Sequence, residues 1–136
     1  MSKSNTSENA TLDANLRAVD PAYRSNASRY IALHTADPGD AGTAVTSECA
    51  FGDYARVAVT AATGFTAAAA GSSSNTAEIS FPECTSGSEL VTYVSIVTTA
   101  SGAGDIIYSG ALTASRTISS GITGRFAIGG LTITED

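Results

Sequence analysis

A chain of 136 residues, 43% hydrophobic and 15% charged, has the length of one ordinary domain and the composition of a folded one. It contains no apolar run near the roughly 20 residues that a membrane-spanning helix needs. Its net charge of −6, with 7 Lys and Arg spread along the chain, excludes the clustered basic surface that displaces phosphate counterions, so neither a membrane nor direct nucleic acid is expected as a partner.

Residues 1–29 are richer in Asn, Ser and charge than the remainder and poor in β-branched residues. They read as an N-terminal arm, extended or short-helical, ahead of a β domain over residues 30–136. Thr11 or Asp13 is placed to cap a short helix carrying Leu12, Leu16 and Val19, and Asp20-Pro21 to end it, because the residue before proline is pushed out of the α region. A helix that short is marginal alone and must dock on something. The N-terminus carries no apolar signal segment, so synthesis and assembly in the cytoplasm are expected and the N-x-S/T triplets at Asn5, Asn9 and Asn26 are expected to stay bare.

From Tyr30 the pattern changes to short β-type runs separated by turn signals, and the 18 Ser and 18 Thr of the chain favour strands and turns over helices. Tyr30–Thr35 reads as the first strand and Asp37–Thr43, DPGDAGT, as the turn after it. Ala55–Thr60 is a second strand, and Ala61–Thr76 a long loop or weak strand in which Gly64 and Gly71 bracket an alanine run too closely for a helix. Further strands are expected at Ala77–Phe81, Tyr93–Thr98, Asp105–Gly110, Ser115–Ser119, Arg125–Ile128 and Leu131–Thr134. The last two flank Gly129-Gly130, a pair suited to a two-residue hairpin loop; that register sets Ile128 against Leu131 and Phe126 against Ile133, all on one face. Cys49 and Cys84 are too few for a disulfide framework and lack metal-ligand spacing, so buried free thiols are expected.

Chemistry-bearing patterns are sparse. His34 is the sole histidine; alternation places it with Tyr30 and Ala32, opposite Ile31 and Leu33, which reads as a strand surface or interface residue rather than a general base. No nucleophile elbow, dinucleotide fingerprint or phosphate loop is present, and no catalytic, cofactor or metal residue is nominated. Asp37, Asp40, Glu48 and Asp53 lie in one short segment, but their spacing fits neither a calcium loop nor a glycosidase pair. Tyr54, Phe65 and Tyr93 are candidate sugar-stacking platforms if the domain binds carbohydrate. The expectation is a non-enzyme that works by its surfaces.

Five segments in order, YIALHT followed by DPGDAGT (Tyr30 to Thr43), GDYARVAV (Gly52 to Val59), NTAEISFP (Asn75 to Pro82) and GALTASRTI (Gly110 to Ile118), resemble a family of small tailed-bacteriophage virion proteins commonly labelled tail fibre or virion structural proteins. The likeness departs at the N-terminus, where a more regular amphipathic helix is expected, and at Glu48–Phe51, where a glycine-rich turn is. It implies an all-β virion component, a single jelly-roll-like β-sandwich that assembles symmetrically, without cofactors. Within a virion the short chain, the absence of a repetitive shaft and the arm favour a capsid decoration or cement protein: a trimer anchored to the major capsid protein by residues 1–29. The alternative is a tail-fibre or baseplate component that docks on tail proteins and binds the host surface as a carbohydrate-binding module.

Overall fold

The computed structural model describes residues 1–135. In chain order the elements are β1 (Ser2–Lys3), α1 (Asn5–Arg17), a single 3-10 turn (Ala22–Ser25), β2 (Ser28–His34), β3 (Val57–Thr60), β4 (Ser72–Ser74), β5 (Ile79–Ser80), β6 (Ser88–Val97), β7 (Ile106–Ser119), β8 (Arg125–Phe126) and β9 (Thr132–Thr134). A five-stranded antiparallel sheet, ordered β1-β7-β6-β2-β3, is faced by two two-stranded ribbons, β4-β9 and β5-β8. The core lies between these layers. Ile31, Leu33, Val94, Ile96 and Ile107 from the sheet pack with Ile79, Phe81, Leu131 and Ile133 from the ribbon side, making an all-β sandwich.

Alternation along β2 runs as the sequence implies: Ile31 and Leu33 enter that core, while Tyr30 and Ala32 join a second cluster with Ala44, Val97 and Ile106 on the opposite face. What alternation does not reveal is that both faces are covered. His34 is fully buried, not a surface residue, because the segment after β2 folds back over it. A bulge sorts the neighbouring strand: Val97 pairs with Ile106 and Ile96 with Tyr108, leaving Ile107 as the extra residue. Ile107 and Tyr108 therefore both turn to the main core, while Ile106 joins the second cluster. The two strands expected at 105–110 and 115–119 are one long strand, β7. Tyr93 pairs with Ala111 and Val91 with Arg116, so Leu112–Ser115 leave the ladder between them.

The expected Gly129-Gly130 hairpin does not form. β8 pairs with β5 and β9 with β4, in different ribbons, and Ile128 is 72% exposed instead of facing Leu131. The reason is Asn75, which is buried between the two segments. Its Nδ2 donates to the Ala127 and Ala77 carbonyls at 2.8 and 2.7 Å, and its Oδ1 accepts from the Leu131 N–H at 2.8 Å. Its own backbone exchanges bonds with Gly129 and Leu131 at 2.9 and 3.2 Å. One side chain thus takes the hydrogen bonds that a hairpin ladder would have made.

The leader is tied to the sheet from its first residues. Ser2 and Lys3 pair with Ser109 and Tyr108 at the outer edge of β7, and the buried Ser4 donates its hydroxyl to the Ile106 carbonyl. Ser4, not Thr11 or Asp13, caps α1: it sits in extended geometry and its Oγ accepts from the Ser7 N–H at 3.2 Å. Thr11 lies inside the helix, its hydroxyl returned to the Ser7 carbonyl at 2.9 Å. Asp20-Pro21 does not end the helix either. Ala18 turns left-handed at φ 54 and the Val19 N–H reaches the Asp13 carbonyl at 3.2 Å, closing the helix at Arg17.

Candidate binding surfaces

The polar residues singled out after β2 do not converge on an open site. Asp37 accepts from the Gly39 N–H at 2.8 Å, an Asx turn that suits the positive φ of Gly39. The Asp40 carbonyl accepts from the Asn5 N–H at 2.9 Å, joining this loop to the start of α1. Asp53 is exposed in a turn. Glu48 is committed to Arg56 in a two-pronged ion pair, Nε to Oε1 at 2.6 Å and Nη2 to Oε2 at 2.7 Å, and also accepts from the Tyr54 hydroxyl at 3.0 Å. Arg56 spends its remaining donors on the Thr99 and Gly102 carbonyls at 3.0 and 2.8 Å, which fixes the β6–β7 turn. Among the described residues, no three metal-ligating side chains come together.

His34 bridges the second face of the sheet to that same loop. One ring nitrogen lies 2.9 Å from the Thr46 carbonyl, so Nδ1 carries the proton, and Nε2 accepts from the Ser95 hydroxyl at 2.7 Å. Burial lowers its pKa below the ordinary 6.5, against the opposing pull of the Thr46 carbonyl and Glu48. The pair resembles a catalytic dyad in distance alone. Ser95 is fully buried as well, so no substrate atom can approach its oxygen.

Of the three aromatic platforms, Tyr54 is spent on the core. Its ring meets Phe51 edge-on at 5.2 Å and stacks on Phe81 at 6.4 Å, and its hydroxyl accepts from the Leu33 N–H at 3.0 Å. Tyr93 is half-buried on β6 opposite His34. Phe65 does reach a concavity. Between the β4-β9 ribbon and the main sheet runs a cleft of about 280 Å³ with an apolar interior of Phe65, Ile96, Ile107 and Ile133 and polar groups from Arg29, Ser72, Tyr108 and Glu135. The Tyr108 hydroxyl donates to Glu135 at 2.8 Å and Lys3 pairs with the same carboxylate. Burial raises the Tyr108 pKa, so the phenol stays a donor. Arg29 and Glu135 had no role in the sequence reading; Arg29 lies on β2, Tyr108 on β7 and Glu135 just past β9, and only the sheet order β7-β6-β2 with the β4-β9 ribbon beside it brings them to one rim.

The leader offers a second surface. Leu12, Leu16 and Val19, expected to dock their helix, face outward instead. No described helix is long and apolar enough to cross a membrane.

A family model described as "Podophage GP4 fiber I protein gp80" matches residues 2–134, so the shared pattern takes in the leader and not only the β domain. No curated protein matches the chain.

Proposed function

This chain belongs to the podophage GP4 fiber I protein family and is a fibre-type structural component of a phage virion; we propose that it acts as a non-enzymatic adhesion subunit of the tail fibre. Its leader side joins it to identical copies and to tail or baseplate proteins during assembly in the host cytoplasm, and its Phe65 cleft takes a host-surface sugar. The family favours this reading over a cement protein on the capsid lattice, whose trimeric anchoring to the major capsid protein has no support from the match.

The cleft carries the carbohydrate part of the reading. A sugar ring has one face of C–H groups and an edge of hydroxyls, and the cleft pairs an apolar interior of Phe65 and isoleucines with Arg29, Ser72 and Glu135 as hydrogen-bonding groups. About 280 Å³ suits one ring at the end or branch of a chain rather than a long segment. The test is binding of the full chain to a glycan array that includes polysaccharide from the host envelope. Expected is retention of a defined set of sugars, lost at least tenfold in Phe65→Ala and Arg29→Ala with unchanged circular dichroism. Equal binding by both variants would reject the cleft as the sugar site.

A further inference from the structure

Helix α1 is docked in reverse of the usual amphipathic arrangement. It rests toward β7 on small residues, with Ser7 buried and Ala10, Thr11 and Ala14 half-buried, while Leu12 and Leu16 are 56% and 78% exposed. Val19, just past the left-handed cap, is 50% exposed. The domain has already used one side of the helix and has left its leucines in water.

The spacing of the outward residues indicates what covers them. Within the helix, Asn5, Asn9, Leu12 and Leu16 follow one another at steps of four, three and four, the repeat of the seam positions in a coiled coil, while Val19 lies beyond the left-handed cap at Ala18. Ser7, Ala10, Thr11 and Ala14 fall at the positions that point away from such a seam, and these are the residues the parent domain covers. A seam of this period is matched by a helix of the same period, and a second copy of the chain supplies one. A parallel alignment sets Asn9 against Asn9 and Leu against Leu; an antiparallel one would bury an asparagine amide against leucine.

Charge favours a second copy at this face. The chain carries −6 overall, so copies repel at most approaches. Beside the seam, however, Asp13 is neutralised by Arg17 at 3.0 Å and Asp20 by Arg24 at 2.6 Å, which leaves Glu8 as the main uncompensated charge on the helix. We propose that copies of this chain associate through a short parallel coiled coil of α1, with Leu12 and Leu16 as its apolar centre and Asn9 setting its register. The seam is small beside the roughly 800 Å² per partner of a standard interface, so the free protein associates weakly, with a dissociation constant on the order of micromolar.

Sedimentation equilibrium of the full chain from about 5 to about 500 μM tests this, a range that brackets an affinity of that order. Expected is a monomer that converts to a dimer or trimer as concentration rises, and conversion that tightens with added salt, because salt screens the repulsion between copies that each carry −6. Leu12→Gln with Leu16→Gln should be monomeric throughout, with an unchanged thermal midpoint because both side chains are exposed. Asn9→Leu should lower the dissociation constant at least tenfold. A wild-type chain that stays monomeric at the highest concentration, or a double glutamine variant that associates as tightly as wild type, would overturn the proposal. The sugar-binding reading stands or falls separately, since Phe65 and Arg29 lie outside α1.

Discussion

Replacing Asn75 with alanine should be among the most damaging single changes outside the apolar core. The side chain is 1% exposed and makes three hydrogen bonds of 2.7–2.8 Å, two from its amide nitrogen and one to its oxygen. Each such bond contributes about 1 kcal/mol net, and every buried group left without a partner costs about 1–3 kcal/mol. Alanine strands the Leu131 N–H and removes the Asn75 donor from the Ala77 carbonyl, while the Ala127 carbonyl keeps the Gly130 N–H at 2.8 Å. Loss of about 3–4 kcal/mol follows, or roughly 12 °C in thermal midpoint for a domain of this length. Urea unfolding followed by circular dichroism reads it directly. Asn75→Asp sharpens the test: it keeps an acceptor for Leu131 but turns a carboxylate oxygen toward two carbonyls, so at neutral pH it should be at least as destabilising as alanine. Because β9 carries Ile133 into the cleft, sugar affinity should fall with stability. A loss below about 1 kcal/mol in both variants would refute the claim that Asn75 holds β8 and β9 in place of a hairpin ladder.

Three further outcomes follow from the buried polar groups. Burial holds the His34 pKa below 6.5, so the unfolded chain takes up a proton first as acid is added. Its contribution to stability is complete above about pH 6.5 and declines below it, by at most about 1.4 kcal/mol per pH unit; His34→Gln should flatten that slope, and an identical slope would count against it. Arg56→Met leaves Glu48 buried without its cation and should cost about 3–5 kcal/mol in urea titration, while the double change with Glu48→Gln should cost less than the sum of the two single ones. Burial pushes the Cys49 thiol up to about 12, and neither Cys49 nor Cys84 is paired or accessible. A thiol-specific disulfide reagent should therefore label both only as fast as the protein unfolds, and rapid labelling of the native chain at pH 8 would contradict the burial.

How much of this was legible in the residues depended on the range of the interaction. Alternation sorted Ile31 and Leu33 from Tyr30, Ala32 and His34 correctly because it is a local property of one strand. The DPGDAGT turn was likewise local, carried by Asp37 and a glycine at positive φ. Gly129-Gly130 misled because a tight turn does not guarantee a ladder: Asn75, more than fifty positions earlier, competes for the same backbone groups. His34 looked like a surface residue since nothing in YIALHT announces the loop and leader that cover the second face. Tyr54 could be read as a platform until Phe51, Phe81 and Glu48 were seen to enclose it. The cap of the leader helix was misplaced at Thr11 or Asp13 because Ser2–Ser4 reveal their role only beside β7. One signal was present and went unused: the four-three-four spacing from Asn5 to Leu16, masked because two of its four positions are asparagine.

Where the chain sits in the intact particle tests the account most directly. Electron cryomicroscopy of the virion, with side-chain density traced against residues 2–134, should place copies of this fold in the tail fibre, related by a symmetry axis that runs beside their α1 helices. Density for the chain spread over the capsid lattice, with none in the fibre, would contradict it.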